Sequence, residues 1–100
     1  MTERKKKSLT AVAALELVTE DLNGTPYQYF LLGKYVVAAP GVCGGRPTLK
    51  GRRLDARHVM GYLRTGDTAE QLAQDFKLPL EAIQEVVALA EVYDYEKSYA

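Results

Sequence analysis

The sequence predicts a mainly α fold with a small β portion: a three-helix, helix-turn-helix-like unit preceded by a short β-hairpin and an extended arm. Three observations lead there. From Asp55 onward, apolar residues recur at helical spacing between recognisable start and stop signals. Residues 27–38 concentrate aromatic and β-branched side chains around Gly33-Lys34. Between the two lies Pro40-Gly41-Val42-Cys43-Gly44-Gly45-Arg46-Pro47, which no regular element accommodates. A chain of 100 residues has room for one domain with a modest core.

In chain order, residues 1–7 carry four cations and one acid and read as a disordered basic tail. Residues 8–54 form an N-terminal arm with short strands and a Gly-rich turn. Within it, Val12, Leu15, Val18 and Leu22 share a helical face, with Asn23-Gly24 as the stop. The alternation Leu15-Glu16-Leu17 and the Asn-Gly pair also admit a hairpin strand, although the periodicity favours the helix. Tyr27–Leu32 and Tyr35–Ala38 are expected as a short hairpin, and Thr48–Leu54 as an extended piece interrupted by Gly51.

Residues 55–96 form the helical unit. Asp55 caps a first helix whose stripe is Ala56, Val59, Tyr62 and Leu63, ended by Gly66. Thr68-Ala69-Glu70-Gln71 is a capping box that opens a short second helix along Ala69, Leu72, Ala73 and Phe76. Pro79 suits the first position of a third helix, continued by Leu80, Ile83, Val86, Val87, Ala90 and Tyr93 to about residue 95. The short connection gives helix-turn-helix spacing, with Lys77 standing where such turns often use glycine.

Lys and Arg total 13 against 13 Asp and Glu, but the charges are segregated. Residues 44–64 hold six cations against Asp55, a net +5, while residues 67–100 hold eight acids against two cations, a net −6. These charges either stay solvated and pair between opposite ends of a dimer, or the basic middle meets an anionic partner. The expected third helix is a poor DNA reader, since its outward residues are Glu81, Gln84, Glu85 and Ala88, and only Gln84 suits a base edge.

Other functions find less support. Arg4–Lys7 ahead of residues 9–18 superficially resembles a secretory signal, but Glu16 interrupts the apolar run. Residues 27–40 are broken by Gly33-Lys34 and too short to cross a bilayer as a helix. The single thiol, Cys43, fits a reducing compartment, so a cytoplasmic protein with no membrane attachment is expected. His58 has no second His or Cys pair, so neither a metal nor any other cofactor is expected. No nucleophile–base pair suggests an enzyme.

The Gly-Gly turn admits an anion-holding nest beside Arg46 or an activated Cys43 thiolate. A structural turn is the stronger reading, with Cys43, Gly44, Gly45, Pro47 and Gly51 shaping the backbone. Arg53 could equally be a guanidinium bridging loop carbonyls and a helix-terminal carboxylate. Tyr93, Tyr95 and Tyr99 in the acidic end suggest an interaction segment, with packing of a frayed helix end as the alternative.

The run Cys43-Gly44-Gly45-Arg46-Pro47, followed by Gly51, Arg53 and Leu54 and then by Gly66, resembles the bacterial and archaeal domain of unknown function 433 family. It departs at Arg52, where the family usually has Thr. The resemblance spans about residues 35–95. It implies a link to antitoxins of type II toxin–antitoxin pairs, with repressor-like DNA binding and a PIN-type ribonuclease toxin as partner. On that basis Arg46, Lys50, Arg52, Arg53, Arg57 and Gln84 are the expected nucleic-acid or partner-binding residues, in a homodimer. A dimeric interaction module that binds no DNA is the alternative.

Overall fold

Asn23 and Gly24 both lie at positive φ, +55° and +84°. A two-residue turn of this hand matches the twist of an antiparallel pair, so Asn-Gly joins two strands here instead of ending a helix. The computed structural model describes residues 17–100. The basic tail and the first half of the expected 8–22 helix fall outside the described residues. Within them, Leu17–Leu22 is strand β1 and Thr25–Leu31 is β2, in register from Leu17 opposite Phe30 to Leu22 opposite Thr25. The helix expected through Val18 and Leu22 is therefore corrected. Its periodicity was genuine, but the turn chemistry and a Tyr-rich partner strand outweigh it.

β3 (Val36–Ala38) pairs with β2, and β4 (Thr48–Leu49) pairs with β3. The result is a four-stranded antiparallel sheet in the order β1-β2-β3-β4. This overturns the mainly α expectation, because a four-stranded sheet precedes the three helices in a mixed α/β architecture. β3 alternates as a buried strand should. Val36 and Ala38 join the core under the helices, while Val37 and Ala39 pack with Tyr29 in a second cluster.

The helices are α1 (Ala56–Arg64), α2 (Ala69–Phe76) and α3 (Leu80–Leu89). Their starts follow the capping signals. The Asp55 carboxylate accepts from the Arg57 N–H, and the Thr68 hydroxyl accepts from the Gln71 N–H at 3.0 Å. Gln71 does not complete the reciprocal box, since its amide donates to Asp75 at 2.9 Å. Pro79 takes the cap position itself, one residue earlier than expected. Lys77 holds the left-handed conformation, φ +56°, at the end of α2. α3 stops at Leu89, not near residue 95, because the chain turns at residues 90–92 to bury Tyr93 and Tyr95 in the core.

The core joins Val36, Ala38 and Leu49 of the sheet to Ala56, Val59, Leu72, Ile83 and Val86 of the helices. One polar device fastens α3 to the sheet. Glu85 accepts from the backbone N–H groups of Lys34 at 2.7 Å, Tyr35 at 2.6 Å and Val36 at 3.1 Å. Glu85 was expected on the outward face of α3, and that expectation is corrected. The turn before β3 offers three amide donors with no sheet partner, and an ionised carboxylate can accept them all.

Candidate interaction site

The residues around the Gly-Gly turn form the candidate site. Cys43, Gly44 and Gly45 have φ of +49°, +65° and +80°, three consecutive left-handed residues. Two amides close the turn on itself, the Gly45 N–H donating to Val42 O and the following Arg46 N–H to Cys43 O. Burial and the nearby Asp55 charge push the Cys43 thiol above its ordinary pKa, the reverse of an activated nucleophile. Its Sγ faces the Arg53 carbonyl at 3.8 Å.

Pro47 and Thr48 leave the turn fully enclosed, and the segment then closes on itself. Leu49 N–H donates to Leu54 O at 3.0 Å, and Ala56 N–H to Pro47 O at 2.9 Å. Gly51 supplies φ +73° at the bend, and its N–H donates to the Tyr27 hydroxyl at 3.0 Å.

Asp55, only 3% exposed, is the hub of this region. Arg46 donates to its Oδ2 from Nε at 3.2 Å and from Nη2 at 3.1 Å. Arg57 Nε lies 3.3 Å from the same oxygen, and Arg57 Nη1 reaches Glu96 at 2.9 Å. The Glu96 hydrogen bond is the main cause holding the Arg57 guanidinium still more firmly protonated than usual. A carboxylate this enclosed needs its cations, so Arg46 and Arg57 are committed to the fold. The sequence offered a clue, since Asp55 is the single acid among six cations.

Arg52 is committed elsewhere. Its guanidinium donates to the carbonyls of Phe76 and Lys77, closing the C-terminus of α2 where helix carbonyls lack partners. Lys50 pairs with Glu20 at 3.1 Å and sits 5.1 Å from the Tyr29 ring centroid. Hydrogen bonds from Tyr29 and Lys50 hold the Glu20 carboxyl below its ordinary pKa. Arg53 is different. It is exposed, and its side chain has no hydrogen-bond or ion-pair partner among the described residues. The bridging role weighed for it belongs instead to Arg46 and Arg52. Gln84 is exposed on α3, away from these contacts.

The expected Tyr-rich docking tail is packed against the chain itself. Tyr95 is buried and donates to the Val86 carbonyl. Tyr99 stacks edge-on against Tyr93, and its N–H donates to the Gly45 carbonyl at 2.8 Å. Between this segment and α1 runs a cleft of about 500 Å³, bordered by Arg57, Met60, Arg64 and Val92. A neighbouring cleft of about 660 Å³ brings in His58 and the half-exposed Tyr62. Arg64 was not among the expected binding residues, because sequence alone does not show which helix-end cation borders a cleft. Among the described residues no His, Cys, Asp and Glu cluster could hold a metal ion, and no helix is long and apolar enough to cross a membrane.

A four-stranded sheet backed by three short helices, with a left-handed Gly-Gly turn pinned to a buried aspartate, defines a small α/β domain. The chain belongs to the family described as Protein of unknown function (DUF433), whose model matches residues 36–90. The matched span runs from β3 to the end of α3, so the β1–β2 hairpin and the closing Tyr segment lie outside it. No curated protein and no solved structure matches the chain.

Proposed function

We propose that this chain is a dimeric protein-interaction module that engages an acidic partner protein without reading DNA. The observation that carries this reading is the commitment of the basic segment. Among the described residues Arg46, Arg52 and Arg57 bond to Asp55, Glu96 and helix-end carbonyls and Lys50 pairs with Glu20, which leaves only Arg53 and Arg64 of the segment with unengaged guanidinium groups, and these two border different clefts. Duplex binding needs several cations facing phosphates, and the exposed residues of α3, Glu81, Gln84, Val87 and Ala88, add none. One well-placed guanidinium does suit a carboxylate-lined protein surface.

A second reading is a DNA-binding antitoxin that also neutralises a PIN-type ribonuclease. It draws on the family membership and on the three residues, Lys77 to Pro79, that join α2 and α3 in a helix-turn-helix-like way. Co-expression with the product of the adjacent gene, followed by sizing with and without upstream DNA, separates the two. A protein complex that leaves DNA mobility unchanged supports the first. Salt-sensitive retardation of that DNA supports the second. A chain that binds neither removes both.

A further inference from the structure

On the sheet side of the Gly-rich loop lies a groove of about 490 Å³. Its walls are Pro26, Tyr27, Pro40 and Val42, with Gln28 and Arg53 as its side-chain polar groups. The walls are held in place: the Tyr27 hydroxyl is fixed by the Gly51 N–H, and the Tyr27 ring rests 4.9 Å from that of Tyr29. The backbone at Arg53 is held as well. The Cys43 thiol faces its carbonyl, the following carbonyl of Leu54 accepts from Leu49, and the preceding Arg52 N–H donates to Leu49 O. Among the described residues Arg53 is thus a cation on an anchored backbone with an uncommitted head, beside apolar walls.

We infer that this groove binds an extended acidic peptide segment of a partner protein, with Arg53 taking a carboxylate and an adjacent aromatic or proline side chain lying against Tyr27 and Pro40. Proline walls lack amide donors, so recognition runs through side chains and not through strand addition. The charge supports a peptide over a nucleic acid. Lys50, the next cation in sequence before Arg52, is paired with Glu20, which leaves one guanidinium facing the groove where a phosphate backbone would call for a row of them. A planar guanidinium matches a carboxylate through two parallel hydrogen bonds. The inference rests on the protein-interaction reading above and specifies its site.

The test uses the isotope-labelled full chain and a pool of short synthetic peptides that fix Asp or Glu one residue from Tyr or Phe. A Lys-substituted pool and a single-stranded oligonucleotide serve as the other arms. Amide shifts at Gln28, Gly41, Val42 and Arg53 with the acidic pool alone are the expected result. Arg53→Gln should weaken that binding about tenfold or more, with Arg53→Lys intermediate and the melting temperature unchanged in both. Arg64→Gln should leave peptide binding intact. Equal affinity in Arg53→Gln, shifts confined to the α1 clefts, tighter binding of the oligonucleotide, or no binding by the acidic pool overturns the inference. A neighbour-encoded partner still captured by Arg53→Gln would leave the interaction reading in place and remove this groove from it.

Discussion

Gly33 and Glu85 are fitted to one another across the sheet–helix junction. A methyl group at Gly33 would fall 2.7 Å from both Cδ and Oε2 of Glu85 and 2.8 Å from Leu89 Cδ1, contacts closer than real side chains make. The absence of a side chain at Gly33 therefore lets the carboxylate reach the amides of residues 34–36. Glu85→Gln exchanges an acceptor-only group for one with two donors, and should cost about 2 kcal/mol in urea unfolding. Gly33→Ala should also destabilise, but less in a Glu85→Ala background. A double-mutant cycle should give a coupling of about 1 kcal/mol.

Asp55 is the group on which the basic segment depends. Asp55→Asn keeps the cap oxygen but removes the charge that Arg46 and Arg57 share. With both arginines partly exposed, solvent screening brings the expected loss to about 2 kcal/mol, below that for a fully buried pair. Arg52→Ala should cost about 1 kcal/mol by freeing the last carbonyls of α2. Arg53→Gln should stay within about 0.5 kcal/mol of the parent. Urea melts of the three variants check the ranking, and an Arg53 variant as unstable as the other two would contradict the division of roles.

Tyr95 ties alkaline stability to the core. Burial raises its pKa far above the ordinary tyrosine value of 10.0, with the nearby Glu85 charge a smaller cause. Below pH 10 the residue is neutral in folded and unfolded chains alike, and this shift leaves stability level. Above pH 10 the unfolded chain releases a proton that the folded chain retains, so stability should fall as pH rises. Tyr95→Phe should remove part of that slope, while costing about 1 kcal/mol at neutral pH through the lost bond to Val86. Denaturation midpoints between neutral and strongly alkaline pH measure both effects.

Lys77 occupies a left-handed position where a side chain is disfavoured. Lys77→Gly should stabilise the protein by about 0.5 kcal/mol, the relieved strain being partly offset by a more flexible unfolded chain. Because Arg52 bonds to the Lys77 carbonyl and not to its side chain, that tie survives. A lower melting temperature in this variant would contradict the argument.

The local signals in the sequence were the dependable ones. Asp55, Thr68 and Gly66 marked helix boundaries because capping acts within a few residues, and Lys77 marked its strained turn for the same reason. What could not be read was long-range pairing. β1 carried both a helical stripe and a hairpin turn, and only the presence of β2 beside it decides between them. β4 consists of two residues and exists because β3 offers it an edge. Glu85 reads as an ordinary helix-surface acid until the amides of residues 34–36 are brought beneath it. The four arginines of residues 46–57 look alike in sequence, and their separate roles depend on carbonyls and a carboxylate contributed by other elements.

The order of the strands also bears on how fast the molecule assembles. Each strand pairs with its neighbour in sequence, so the loops closed in forming the sheet are short and their entropic cost is small. The helices likewise build from neighbouring turns. The long-range links come from the C-terminal half: the Tyr99 N–H reaches back to the Gly45 carbonyl, and Glu85 reaches back about fifty residues to the turn before β3. Sheet and helices can thus begin to form independently, and the slow event in folding should be the docking of α3 onto that turn.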